Sequence, residues 1–293
     1  MEEQGSKRWE DMELDCLVAI FSKLGLDDLT AAVPFVCKSW SQASADPNCR
    51  RVLDFRRLDL KPSNPFARRF ASQYSIPRFT FSGFLKFAVA SSRRSAFELR
   101  FSPLFPPSME VLSLASKENR CPGMKVLGLP RISVDDESQF LNLIANWKDL
   151  ELLEMDSKPA KLTEMMKLID LHCKNLGGLK LRGWISRDEA LGIADSLPKL
   201  RFLDLSGSHL SKEEILIIVD GCRELKKLKV NDCVGFEGED EEVKKIRATA
   251  MDVFEHEGCV IGDDSLHQNH DESDGDLDLQ FTYFDYCFET WMF

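Results

Sequence analysis

Leu200-Arg201-Phe202-Leu203-Asp204-Leu205 is one copy of the pattern that decides the fold: apolar, two others, apolar, one other, apolar. Four more copies occupy residues 124–129, 150–155, 176–181 and 225–230. Each copy ends in an alternating pair: Leu127 and Leu129, Leu153 and Met155, Leu179 and Leu181, Leu203 and Leu205, Leu228 and Val230. That alternation is the period of a strand with one face buried. The leading members, Leu127, Leu153, Leu179, Leu203 and Leu228, are 26, 26, 24 and 25 residues apart.

The segments between the strands repeat as well. Phe140, Leu143, Ile144 and Trp147 fall at i, i+3, i+4 and i+7, as do Ala190, Ile193, Ala194 and Leu197, and Ile215, Ile218, Val219 and Cys222. Each set is an apolar stripe on one face of a helix. Asp136-x-x-Gln139, Ser186-x-x-Glu189 and Ser211-x-x-Glu214 place a capping box four residues before each stripe, which satisfies orphan amides where the helix begins. One strand and one helix per repeat, at this period, is the arrangement of leucine-rich repeats.

Working outward, Phe97-Glu98-Leu99-Arg100-Phe101 is an earlier strand, with Leu99 lying 28 residues before Leu127. Residues 108–118 are predicted to be its helix, with Leu114 and Cys121 in phase. A strand there would leave a repeat of only about fifteen residues, below the usual range. Cys121, Cys173, Cys222 and Cys233 recur at repeat spacing rather than in the short pairs of a zinc site, so they are expected to be core thiols. At the far end, residues 239–255 are predicted to form a closing helix carrying Val243, Ile246, Arg247 and Ala250. The acidic run Glu239-Asp240-Glu241-Glu242 would sit at its start, where negative charge complements the dipole.

The chain has 293 residues, of which 43% are hydrophobic, enough for a sizeable core. No apolar run reaches the roughly 20 residues of a membrane span, and the polar start is a poor secretory signal. Nine scattered cysteines point to a reducing compartment, cytoplasmic or nuclear, rather than a disulfide framework. Charge is segregated: residues 50–94 hold eleven basic residues against Asp54 and Asp59, and residues 237–293 hold seventeen acidic against three basic. The basic stretch is read as a solvated helical surface, and no nucleic acid or membrane is expected as a partner. Residues 263–278 are acidic and poor in apolar residues and are expected to be disordered, as is the aromatic terminus carrying Phe281, Tyr283, Phe284, Tyr286, Phe288, Trp291 and Phe293.

Residues 9–40 are predicted to form three short helices. Leu14, Leu17, Val18 and Phe21 make one stripe, widened by Ile20 and Leu24. Gly25 is expected to end that helix in the left-handed conformation. Asp27 or Asp28 then opens a second helix to Ala32, and Pro34 suits the first turn of a third, with Val33, Val36, Cys37 and Trp40 as its stripe. So many apolar residues exceed what one small helical core can hold. The surplus faces either a partner or the adjoining repeats.

Trp9-Glu10-Asp11-Met12-Glu13-Leu14-Asp15-Cys16-Leu17-Val18-Ala19-Ile20-Phe21-Ser22-Lys23-Leu24 resembles the opening helix of an F-box. Asp28-Leu29-Thr30 and Val36-Cys37-Lys38-Ser39-Trp40 resemble its middle and closing signature, and Asp46-Pro47-Asn48 the exit from plant F-boxes. Met12-Glu13 stands where the usual Leu-Pro would be. Val230-Asn231-Asp232-Cys233 is similar to the cysteine-containing repeats that follow F-boxes, although Trp184 and Ser208 occupy the corresponding place elsewhere. The resemblance implies an α/β chain: a small three-helix F-box, then a short leucine-rich repeat solenoid with a strand plus a helix per repeat, and an acidic C-terminal tail. The expected divisions are a disordered start (1–8), the F-box (9–55), a basic helical linker or solenoid cap (56–95), the repeats (96–258) and the tail (259–293).

By that resemblance the chain is the substrate-recognition subunit of a Skp-cullin-F-box ubiquitin ligase. Leu14, Leu17, Ile20, Phe21, Leu24, Leu29, Val36 and Trp40 would supply the F-box helices and their face toward a Skp-family adaptor, and through it cullin and RING subunits. Spacing alone does not divide these positions between contact and core. A protein substrate of unknown identity would meet the strand edges and following loops, where Arg182, Trp184, Asp204, Ser208, His209, Lys229, Asn231 and Asp232 are the exposed candidates. No catalytic group, metal or cofactor is expected. His172, His209, His256, His267 and His270 pair with no nucleophile, and Cys259, His267 and His270 fall in an acidic, polar stretch. Two rival readings are a repeat scaffold with a degenerate F-box and a ligand-dependent F-box receptor.

Overall fold

The computed structural model describes Trp9, residues 12–117, 121–237, Val243 and residues 251–261. Among the described residues, eight short parallel strands form one sheet in sequence order: β1 (Val52–Asp54), β2 (Glu98–Arg100), β3 (Val126–Leu129), β4 (Leu152–Met155), β5 (Gly178–Lys180), β6 (Phe202–Asp204), β7 (Lys227–Lys229) and β8 (Val253–Glu255). The pairing register aligns Leu53, Leu99, Leu127, Leu153, Leu179, Leu203, Leu228 and Phe254 in one row. All eight are buried. Each leucine withdrawn from water contributes roughly 1.5–3 kcal/mol, and one phase of the repeat places them all.

Helices α6 (Met109–Ser116), α7 (Val134–Ile144), α8 (Leu162–His172), α9 (Arg187–Ser196) and α10 (Lys212–Gly221) cover the leucine face. The predicted stripes lie inside: Phe140, Ile144, Ala190, Ile193, Ile215 and Ile218 are all buried. Ser186 and Ser211 open α9 and α10 with complete capping boxes. Helix α7 differs from expectation. Its cap is Ser133, whose hydroxyl accepts from the Asp136 amide at 3.2 Å, so the helix begins three residues earlier than Asp136 suggests. Helix α8 has no side-chain cap of its own. The buried Glu137 of α7 supplies one from the preceding repeat, accepting from the amides of Ala160 at 2.7 Å and Lys161 at 3.2 Å.

Both ends of the sheet correct the sequence reading. Strand β1 lies within residues 9–55, so the sheet starts inside the segment assigned to the N-terminal domain. At the other end, Val243 is helical, but residues 253–255 form β8 rather than the end of a closing helix. The expected positions of Ile246, Arg247 and Ala250 lie outside the described residues. Val260 still pairs with Val234, so ordered backbone runs past residue 258. The expectations for residues 1–8 and 262–293 also lie outside the described residues.

Between β1 and β2, α4 (Pro65–Gln73) and α5 (Phe81–Ser91) close the first end of the solenoid. Phe55, Phe66, Phe70, Phe79, Phe84 and Phe101 pack there with ring centroids 5.1–6.0 Å apart. Apart from the buried Arg50, the stretch that reads as basic is therefore basic only on the outside. Arg57, Arg68, Arg69, Arg78 and Arg94 are exposed around an aromatic interior.

The N-terminal segment has its own small core. Helices α1 (Leu14–Phe21), α2 (Leu26–Ala31) and α3 (Lys38–Ser44) enclose Leu17, Phe21, Leu29, Val33, Ala43 and Cys49, with Leu14, Leu24 and Trp40 packed against them. Gly25 is not left-handed. At φ −71° it is the N-cap of α2, and Asp27 and Asp28 occupy the first turn instead of the cap. The third stripe is also broken. Residues 33–35 form a 3-10 turn around Pro34, and Cys37 is extended before α3 begins. Val33 and Trp40 therefore face the core while Val36 turns outward.

Candidate protein-docking surfaces

The broken stripe sorts the eight N-terminal candidates. Leu17, Phe21 and Leu29 are at most 2% exposed. Leu14, Leu24 and Trp40 are partly buried against them, Trp40 with its ring edge-on to Phe21 at 5.1 Å. Ile20 and Val36, by contrast, are 40% and 60% exposed. Phe35, absent from the sequence-derived set, is 46% exposed and meets Tyr74 edge-on at 5.6 Å. Its signal was available as an aromatic residue directly after Pro34, in a turn too short to bury both flanking side chains. Six of the eight thus build the three-helix unit, and Ile20 and Val36 present apolar surface to the outside.

The open face of the sheet carries two rows of side chains, because residues on either side of each inward leucine point away from it. One row reads Asp54, Arg100, Gly128, Glu154, Lys180, Asp204, Lys229, Glu255 across the register. Its charges alternate and are largely spent on each other. Arg100 bonds Glu98 at 2.6 Å and reaches across β3 to Glu154. Gly128 makes that reach possible, since a Cβ there would sit 3.1 Å from Arg100 Cγ. Lys180 lies 3.7 Å from Asp204, and Lys229 lies 2.5 Å from Glu255. That hydrogen bond holds the Glu255 carboxyl below its ordinary value and raises the Lys229 ammonium. Burial acts against Asp54, but its bonds to Arg56 prevail and hold its carboxyl down.

This ladder corrects part of the expected substrate surface. Asp204 is 8% exposed and Ser208 is fully buried. The Ser208 hydroxyl accepts from the Gly183 amide at 3.2 Å and so closes a loop. Lys229 is engaged with Glu255, and Asn231 bonds both Glu255 and the Glu257 amide. Arg182, Trp184, His209 and Asp232 remain exposed. Trp184 and His209 stack with centroids 6.3 Å apart along a second set of parallel bridges beside the sheet, and Arg182 donates to the Gly207 carbonyl.

The second row was not anticipated. Val126, Leu152, Gly178 and Phe202 are aligned across β3 to β6. Gly178 has no side chain, and Leu152 and Phe202 lean over it: a Cβ there would lie 2.7 Å and 3.4 Å from their Cδ1 atoms. These three side chains are only half-buried and form an apolar strip beside the charge ladder. The residue before each inward leucine carried this signal.

Cys173, Cys222 and Cys233 lie in the core, and burial pushes their thiols up to about 11, 12 and 12. Among the described residues no group of three His, Cys, Asp or Glu is placed to hold a metal ion, and no helix is long and apolar enough to cross a membrane.

No protein-family model matches the chain. It is 30% identical to an F-box/LRR-repeat protein of Arabidopsis thaliana over 235 residues, covering 77% of this chain and 72% of that one. It is 27% identical to the Arabidopsis thaliana F-box protein FBW2 over 78% of this chain and 68% of the relative. With the F-box protein SKIP19 of the same plant, the identity is 24% over 95% of this chain and 88% of the relative.

Proposed function

The chain belongs to the F-box/LRR-repeat family of plant proteins, and from that membership we propose that it is the substrate-recognition subunit of a Skp-cullin-F-box ubiquitin ligase. The observation that carries this reading is the outward turn of Ile20 and Val36 on a three-helix unit whose own core is already filled. Apolar side chains on rigid short helices dominate affinity when a partner withdraws them from water. The adaptor is that partner, and cullin and RING subunits follow through it. Met12, packed against the small core at the place of the usual leucine, supplies apolar contact there without the proline.

The substrate is a protein held on the open face, against the apolar strip of Val126, Leu152 and Phe202 and the exposed edge at Arg182, Trp184 and His209. The chain contributes no bond-making chemistry. It raises the effective concentration of a substrate lysine near a ubiquitin-charged enzyme and orients it. The cytoplasm or nucleus is the compartment that suits core cysteines kept as thiols.

The test separates contact from core. Ile20→Asp and Val36→Asp should leave the melting temperature nearly unchanged, since exposed substitutions usually shift stability by under about 0.5 kcal/mol. Each should weaken adaptor binding at least about tenfold. Leu17→Asp should instead lose the small core itself, because it buries an unpaired carboxylate. If Ile20→Asp and Val36→Asp both bind adaptor like the natural chain, the assignment of this face is wrong.

A further inference from the structure

A cavity of about 230 Å³ lies at the seam where α3 and the segment after it meet α4 and α5. Ser41, Ser44 and Arg50 line one side, and Tyr74, Ser91 and Arg93 the other. Arg50 is 4% exposed. Its Nε donates to the Ser44 carbonyl at 3.3 Å and its Nη2 to the Leu29 carbonyl at 2.6 Å. Its Nη1 is buried with no hydrogen-bond partner among the described residues. A buried guanidinium is ordinarily paired with a carboxylate, because the solvation it gives up is worth several kcal/mol. Here the groups that act on its charge are Tyr74 and Cys49, and none of the residues lining the cavity is acidic. Burial accordingly lowers the Arg50 pKa.

The hydroxyls divide into spent and unspent donors. Tyr74 donates to the Thr30 carbonyl at 3.0 Å, Ser44 to the Ser41 carbonyl at 3.0 Å and Ser91 to the Ala88 carbonyl at 2.9 Å. Arg50 Nη1, the Arg93 guanidinium and the Ser41 hydroxyl are left to serve a ligand. Two positive charges and a hydroxyl with no opposing carboxylate suit a small oxyanion. Water alone would satisfy the donor but not the charge.

We propose that this seam cavity binds a phosphate oxyanion, either free phosphate or the phosphoryl group of a small metabolite, between Arg50, Arg93 and Ser41. Bound there, the anion ties the F-box helices to the first helices of the solenoid, and so steadies the adaptor-docking face relative to the substrate-binding repeats. The anion site itself does not depend on the ligase reading; only its effect on the docking face rests on that reading.

Phosphorus NMR titration of the full chain with inorganic phosphate, and separately with glycerol 3-phosphate, tests the site at constant ionic strength. Saturable binding is expected for the natural chain. Arg93→Asn removes one cation while tolerating the left-handed backbone at φ 48°, and Ser41→Glu places a competing carboxylate at the mouth. Each should weaken binding at least tenfold. The melting temperature of the natural chain should rise by roughly 3 °C at ten times the dissociation constant. Tighter binding of glycerol 3-phosphate would identify the metabolite as the source, and equal or weaker binding would identify free phosphate. If phosphate does no more than chloride, or if both variants bind like the natural chain, the cavity is a water pocket and the proposal is overturned.

Discussion

Replacing Gly221 with alanine tests the packing between the last two described helices, and the structure fixes the sign of the result. Gly221 ends α10 against Ala194 of α9. A Cβ at Gly221 would fall well inside the van der Waals contact distance of the Ala194 Cβ and 2.9 Å from the Ala194 Cα. The obstacle is backbone and a methyl group, so no flexible side chain can swing away. Carbon atoms need about 3.5–4.0 Å, and the helices must separate by more than an ångström or shift along one another. Such overpacking costs about 1–3 kcal/mol. Against it stands the better helix propensity of alanine, at most about 1 kcal/mol and less at a helix end. The net expectation is a loss of about 1–2 kcal/mol, read as a melting temperature lower by roughly 2–8 °C. Gly177→Ala is the matched control, because nothing lies within 4 Å of a Cβ there. It should be neutral or slightly stabilising. Thermal unfolding followed by circular dichroism compares the two, and a Gly221→Ala chain as stable as Gly177→Ala would refute the close approach of α9 and α10.

Glu137→Ala should strand the Ala160 and Lys161 amides that its carboxylate accepts from. A loss of about 1–3 kcal/mol is expected, with early hydrogen exchange at the start of α8, and Glu137→Gln should recover part of it. The buried thiols make a pH-dependent prediction. Cys222 and Cys233 titrate near 9 unfolded but are raised to about 12 in the folded chain. Between those values the unfolded chain has released protons that the folded chain keeps, so stability is intact below pH 9 and falls as pH rises toward 12. In denaturant titrations above pH 9, Cys222→Ala should reduce that slope by up to one proton. An unchanged slope would mean the thiol is not buried. At pH 8, alkylation of the native chain should mark the exposed Cys16 and spare Cys173, Cys222 and Cys233.

The repeats were legible because burial imposes a period. Leu127 through Leu228 had to share one face, and their spacing alone placed five strands and three helix stripes. The ends were not legible for the same reason. In β8 only Phe254 points inward between Val253 and Glu255. In β1 the pair Leu53 and Phe55 does alternate, but Leu53 lies 46 residues before Leu99, well outside the repeat spacing. The division of the F-box candidates was also invisible. A short helix that is apolar on two faces gives Leu17 and Ile20 the same helical spacing, and only the extended Cys37 sends Val36 outward from the stripe it shares with Trp40. The charge ladder needed register. Asp54, Arg100, Glu154, Lys180, Asp204, Lys229 and Glu255 are far apart in sequence, and Gly128 reads as a weak strand residue until Arg100 is seen crossing it. That register removed Asp204, Lys229 and Asn231 from the free surface and put Val126, Leu152 and Phe202 in their place.

The most direct test is the affinity of the natural chain for a Skp-family adaptor, measured by calorimetry on purified, folded proteins. The account predicts a one-to-one complex with a dissociation constant of about 1 μM or tighter. It also predicts a heat signal that disappears when Ile20 and Val36 are both changed to aspartate. A folded natural chain that shows no binding at tens of micromolar would contradict it.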